Sequence, residues 1–186
     1  EMSASLVGSE MCIRDRYKVI KHILNSAGIE RFTDYQMDMV RLGIGLYGVS
    51  ASGQKGLRNI STLKTTILQI QNVPAGDSIG YSRMSYVKRD SRIAIIPIGY
   101  ADGLDRKLGC GRAYCLVNGR RAPYVGNICM DVCMIDVTDI DCREGDTAII
   151  FGDDLPVTVL SDAVGTIPYE ILTGVSARVK RVYYQD

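Results

Sequence analysis

The sequence predicts a mainly β protein, in which an antiparallel β domain follows the end of an α/β array. Three observations carry this. Period-two alternation of apolar and polar residues runs over 62–73 and returns over 129–137. Asn118-Gly119, flanked by residues 113–117 and 121–125, is the strongest short hairpin signal in the chain. Before residue 50, strand, turn, short helix and strand succeed one another, which is the order of an α/β array.

Residues 17–24 predict a short buried strand. Asn25-Ser26-Ala27-Gly28 is a small polar turn with helix-capping character, and residues 34–39 supply a helical turn. Residues 42–49, Leu-Gly-Ile-Gly-Leu-Tyr-Gly-Val, predict a buried strand whose glycines let a ligand come close. The Ser- and Gly-rich stretch 50–59 reads as a linker. Beyond it, residues 62–73 alternate as a strand, Pro74-Ala75-Gly76-Asp77 turns, and residues 91–98 are a nearly continuous apolar strand. Residues 129–137 alternate again and 147–151 form another buried strand. Residues 157–164 and 168–175 have helical spacing, and 178–184 close as a strand. The expected organisation is residues 1–16 as a head outside the fold, 17–50 as the end of the α/β part and 51–186 as the β domain. The head has no strand or helix periodicity. Its Ser-Leu-Val-Gly-Ser-Glu-Met-Cys-Ile-Arg-Asp-Arg string looks like translated adapter sequence, so a true N-terminal half is expected to be missing.

With 186 residues, 46% hydrophobic and 23% charged, the composition is that of a soluble globular protein. A net charge of +1 gives no electrostatic case for nucleic acid or an anionic membrane. No apolar run approaches the roughly 20 residues that span a bilayer. The six cysteines, at 12, 110, 115, 129, 133 and 142, lack the paired spacing of a structural zinc site, and His22 is the single histidine. Thiols scattered along strand-like runs suit a reducing compartment, and a cytoplasmic protein without a bound metal is expected.

Two constellations point to chemistry. Ile79-Gly-Tyr-Ser-Arg83 and Ile98-Gly-Tyr-Ala-Asp-Gly103 each put a tyrosine directly after a glycine that ends an apolar run. The glycine lets the chain turn sharply while the phenol projects. A phenol of lowered pKa can move protons, and Arg83 lies two residues beyond Tyr81. Taken alone, both tyrosines read first as half-buried strand residues. The second constellation is Asn25-Ser26-Ala27-Gly28 with Arg41-Leu42-Gly43-Ile44-Gly45. The amides of a glycine-rich turn and the Ser26 hydroxyl suit an anion such as phosphate.

In chain order, His22-Ile-Leu-Asn-Ser-Ala-Gly28, Val40-Arg-Leu-Gly-Ile-Gly-Leu-Tyr-Gly48, Ile79-Gly-Tyr-Ser-Arg83, Ile98-Gly-Tyr-Ala-Asp-Gly103 and Gly126-Asn-Ile-Cys-Met-Asp131 resemble the alanine racemases. The resemblance covers residues 17–184. It implies a pyridoxal 5'-phosphate enzyme with an N-terminal α/β (TIM-type) barrel and a C-terminal β domain. This chain would then be the last strands and helices of an incomplete barrel followed by the antiparallel β domain.

By that resemblance, Ser26 and the amides of Gly43 and Ile44 cradle the cofactor phosphate, with Asn25 beside them. Arg41 hydrogen-bonds the pyridine nitrogen. A guanidinium does not give up its proton, so that nitrogen stays unprotonated and simple reprotonation is favoured. In an unrelated sequence Arg41 would read as a surface salt bridge. Tyr81 corresponds to the catalytic tyrosine, which serves one face of alanine and reaches the partner's site in a homodimer. A lysine that holds the cofactor as a Schiff base serves the other face. Met130 corresponds to a residue whose amide contacts the substrate carboxylate, although its side chain reads equally as core filler. Tyr100 and Arg106 line the corridor to the site, and Asp131 orients its loop.

Asn127 stands where many members have arginine, and Ala177 where some have a tyrosine beside the phosphate. Both bear on substrate preference and leave serine open beside alanine. The family's Schiff-base lysine lies on the first barrel strand. None of the seven lysines, at 18, 21, 55, 64, 88, 107 and 180, has that context, so this polypeptide alone is expected to be inactive. The resulting expectation is an alanine racemase fragment serving D-alanine supply to peptidoglycan. Its parent could be fused to a muramyl-peptide ligase, as some members are. The competing readings are a non-enzymatic β-domain that binds a partner or phosphate ligand, and a fold-related decarboxylase, whose expected acidic and cysteine motifs are not seen.

Overall fold

A computed structural model of the chain describes residues 18–53, 56–83 and 85–184. The predicted head 1–16, with Cys12, and Lys55 lie outside the described residues. The chain divides into two compact units after Arg58.

In the first unit two extended segments run side by side in the same direction. Lys21 O accepts from Asp38 N (3.1 Å) and Met39 N (3.3 Å), and Leu24 O accepts from Arg41 N (2.8 Å). The pairing is too sparse to make a regular strand, so the strand expected over residues 17–24 is not formed. Between the segments lies α1 (Ser26–Arg31), whose first turn is capped by Asn25 Oδ1 accepting from Gly28 N at 3.0 Å. A 3-10 turn follows at Thr33–Tyr35.

The strand expected over 42–49 is instead a 3-10 helix, Ile44–Tyr47. Its backbone groups find partners locally. Gly43 N and Gly45 N donate to Ser26 Oγ at 2.9 and 3.3 Å, and Leu46 N and Gly48 N return to Gly43 O and Gly45 O. A chain satisfied this way does not need a ladder. Further on, Glu30 grips the segment at residues 50–52, accepting from the Ser50 and Ser52 hydroxyls and the Ala51 and Ser52 amides. The Ser52 hydroxyl, then that of Ser50, brings the Glu30 carboxyl down to about 2.

The second unit is the expected antiparallel β fold. Its strands are β1 (Leu63–Thr66), β2 (Gln69–Val73), β3 (Ser78–Ile79), β4 (Ser85–Tyr86), β5 (Ser91–Ile96), β6 (Tyr114–Val117), β7 (Arg120–Val125), β8 (Cys133–Asp136) and β9 (Thr147–Phe151). Seven of them form one sheet in the order β1-β9-β6-β7-β8-β5-β2, while β3 and β4 pair separately. The single alternating run expected at 62–73 is in fact two strands with different partners, β1 on β9 and β2 on β5. Ile67 and Leu68 make the crossing. Ile67 is buried and donates to Asp146 O, and Leu68 N donates to Ile95 O.

The β6–β7 hairpin turns at Asn118 (φ 49°) and Gly119 (φ 73°), the left-handed pair of a type I′ turn. Buried residues of successive strands stack beneath the sheet, with Ala94 and Tyr124 both registered on Ile135. Helices α2 (Val157–Val164) and α3 (Pro168–Gly174) form as expected and pack on one another. Residues 178–184 are not a strand. Arg181 instead donates to the carbonyls of Val175, Ser176 and Val179, tying the segment back onto the residues just before it.

Burial pushes the Cys115 thiol up to about 12 and raises that of Cys133 well above its usual value, so both behave as small core residues. Tyr124 lies beside them, fully buried, and its hydroxyl has no hydrogen-bond partner among the described residues. An unpaired buried hydroxyl is costly. Tyr124→Phe is therefore expected to leave stability unchanged or raise it by about 1 kcal/mol. Urea denaturation checks this, and a loss larger than that would show the hydroxyl to be paired.

Candidate active site

The glycine-rich turn of the first unit gathers hydrogen-bond donors at one place. Ser26 is buried, and its Oγ collects the amides of Gly43 and Gly45. A hydroxyl that accepts twice still carries a proton to donate. A Cβ at residue 45 would meet Leu42 Cδ1 at 2.9 Å and lie 3.7 Å from Ser26 Oγ, so the glycine lets the turn close on Leu42 beside the hydroxyl. Asn25 is occupied in capping α1. Arg41 is exposed, and its Nη2 donates to Ile23 O at 2.9 Å, which fixes the guanidinium along the neighbouring extended segment. The Gly43 and Gly45 amides are spent on Ser26 Oγ, so the donors that suit an anionic phosphate and an accepting ring nitrogen are the Ser26 hydroxyl proton and the remaining guanidinium N–H groups of Arg41.

In the second unit Tyr81 opens a 3-10 turn, Tyr81–Arg83, directly after β3. Gly80 sits at φ 77°, a conformation that disfavours any side chain, and the phenol that follows is 74% exposed. It is not a half-buried strand residue. The turn borders an open pocket of about 440 Å³, lined mainly by apolar side chains including Ile79, Ile93, Val132 and Met134. Tyr100 likewise opens a 3-10 turn, Tyr100–Asp102, but its glycine serves differently. Gly99 is extended at φ −147°, and a Cβ there would meet Cys129 O and Met130 O at 2.3 Å. Glycine is required at 80 by conformation and at 99 by close approach.

That approach joins two of the expected site segments. Tyr100 N donates to Cys129 O and Ala101 N to Met130 O, both at 3.0 Å. Met130 is 54% exposed and so is not core filler. Arg106 lies exposed on the 3-10 turn Arg106–Leu108, whose first turn Asp105 caps. Asn127 receives the Cys110 thiol at 3.9 Å. Asp131 is held by Arg178, whose Nη2 donates to Asp131 Oδ1 at 2.6 Å while its Nε donates to Asp102 Oδ1 at 2.7 Å. Sequence reasoning gave no part to Arg178 or Asp102. The one available signal was Asp102 three residues after Gly99, the spacing of a helix-start acceptor, and its Oδ2 does accept from Gly99 N at 2.8 Å.

Residues 60–183 match the family described as "Alanine racemase, C-terminal domain", and residues 11–51 match "Alanine racemase, N-terminal domain". Alanine racemase 1 of Caldanaerobacter subterraneus subsp. tengcongensis is 42% identical over 183 residues, covering 93% of this chain and 47% of the relative. The alanine racemase of Desulfovibrio desulfuricans is 41% identical over 172 residues, covering 89% and 46%. Among solved structures, the Bartonella henselae alanine racemase with covalently bound pyridoxal phosphate superposes with a TM-score of 0.88 at 34% identity, covering 96% of this chain and 51% of that one. The Clostridium difficile 630 alanine racemase in complex with cycloserine gives 0.84 at 37%, covering 92% and 47%. The chain spans about half the length of the relatives it matches. On this family match, carried by two thirds of its residues, the chain belongs to the alanine racemase family.

Proposed function

We propose that this chain is the part of a pyridoxal-phosphate-dependent alanine racemase that carries the corridor, one catalytic base and the phosphate-side donors. The observation that carries the reading is Tyr81: a phenol held outward by a left-handed glycine on the rim of an open pocket. The cofactor, when bound, supplies the electron sink that makes the α-proton of an amino acid removable. Ser26 and the amides of Gly43 and Ile44 would hold its phosphate, the Gly43 amide turning to it from Ser26 Oγ. Arg41 would donate to its pyridine nitrogen and, being unable to release a proton, keep that nitrogen unprotonated. Tyr81 moves the proton at Cα on one face, and a base outside the contexts of this chain's lysines serves the other. The Met130 amide receives the substrate carboxylate, and Tyr100 and Arg106 line the way in.

The same reading makes the enzyme a cytoplasmic homodimer in which Tyr81 serves the partner's site, with D-alanine used for peptidoglycan. Among the described residues no helix is long and apolar enough to cross a membrane.

The test joins this chain to the remainder of the Caldanaerobacter relative, loads the product with pyridoxal phosphate and offers L-alanine and L-serine. D-Alanine is expected to form, with kcat/KM for alanine at least about tenfold above that for serine, the discrimination a single added hydroxyl commonly meets. Cofactor binding without racemisation of either amino acid would favour the binding-module reading. Equal turnover of serine would move the assignment to a broader small-amino-acid racemase.

A further inference from the structure

One guanidinium ties together two loops that the proposed function places at the substrate. Asp102 and Asp131 belong to different loops, and Arg178, from the segment after α3, binds both. The two partners differ. The Asp102 side chain is 13% exposed and also caps Gly99, whereas that of Asp131 is 60% exposed. Burial opposes ionisation of Asp102, but the Arg178 hydrogen bond and the Gly99 amide bring its carboxyl below the ordinary range. The carboxylates in turn raise the pKa of Arg178. Backbone bonds join the same three segments: Tyr100 N to Cys129 O, Ala101 N to Met130 O and Ser176 N to Asp102 O.

An isolated exposed ion pair does little for stability. This one is a fork between two carboxylates on separate loops, and a planar guanidinium offers donors on two edges where an ammonium offers a point charge. We propose that Arg178 is a positioning residue that sets Tyr100 and Met130 relative to each other without touching substrate. The inference rests on the proposed function for its catalytic consequence, but not for its structural one.

The test has two readouts. In the 186-residue chain, Arg178→Ala is expected to raise amide hydrogen exchange in residues 99–103 and 127–132 about tenfold while β5 and β8 keep their protection. Arg178→Lys should recover part of that protection, and Asp131→Asn should loosen residues 127–132 alone. In the enzyme completed as above, Arg178→Ala should raise KM for alanine about tenfold with kcat within about threefold, because Tyr81 lies on a turn that Arg178 does not hold.

Unchanged exchange in both loops overturns the proposal, as does a rise spread evenly over the sheet or a loss confined to kcat. If Arg178→Ala unfolds the chain, Asp131→Asn decides: local loosening supports positioning, and none overturns it. A completed enzyme that racemises nothing defeats the proposed function, while the exchange measurement still judges Arg178.

Discussion

Tyr81→Phe in the completed enzyme is expected to lower D-alanine formation about a thousandfold, the middle of the range for a positioned proton-transfer group. The substitution removes one oxygen from a side chain that is 74% exposed, so it should leave the fold intact. It removes the only group on its face of the substrate that this reading credits with moving a proton. The loss should therefore be one-sided. One enantiomer should still exchange its α-proton with deuterated solvent, through the base on the other face, but without inversion. Deuterium uptake and chirality measured on the same samples separate the two events. Inversion at near-normal rate in the phenylalanine variant would remove Tyr81 from the mechanism.

The largest loss of stability is expected from Gly99→Ala, at about 3 kcal/mol. The added Cβ would lie 2.3 Å from Cys129 O and Met130 O, and both obstacles are backbone. Room can be made only by separating the two loops, which stretches the Tyr100–Cys129 and Ala101–Met130 hydrogen bonds. Gly80→Ala makes the informative contrast. There the nearest obstacle is Met134 Cε, the end of a flexible side chain, at 2.9 Å, and the main cost is the left-handed backbone, about 1–2 kcal/mol. Urea midpoints should therefore rank wild type above Gly80→Ala and Gly80→Ala above Gly99→Ala. The reverse order would mean that conformation, not contact, governs both glycines.

These two glycines show what could and could not be read from the chain. Both sit in Ile-Gly-Tyr, and a sharp turn that projects a phenol was legible at each. The difference in cause was not, because the carbonyls against Gly99 come from thirty residues away. Local signals served well where the structure is local: the Asn118-Gly119 hairpin, the α1 cap at Asn25 and the spacing of α2 and α3. They misled where partners decide. The apolar run at 42–49 resembles a strand by composition, yet Ser26 draws its amides into a turn. The alternation at 62–73 continues unbroken across Ile67-Leu68, where the chain changes partners. Arg178 was invisible for the same reason, since its carboxylates lie far away in sequence.

The sheet order has a consequence for how this domain is made. Strands β1 and β2 are separated by two residues, yet they stand at opposite ends of the seven-strand order. A trans chain cannot stretch more than about 11 Å from Thr66 to Gln69, so the sheet must curl until its two ends nearly meet. β2 gains its partner once residues 91–95 exist, but β1 is registered on β9, with Lys64 opposite Ile149. During synthesis the first strand of the domain therefore waits for the last. Until then one end of the sheet lacks its neighbour, and such long-range closure is slow and exposed to mispairing. Once β9 arrives, the Ile67-Leu68 dipeptide holds the two edge strands together at one end of the closed order.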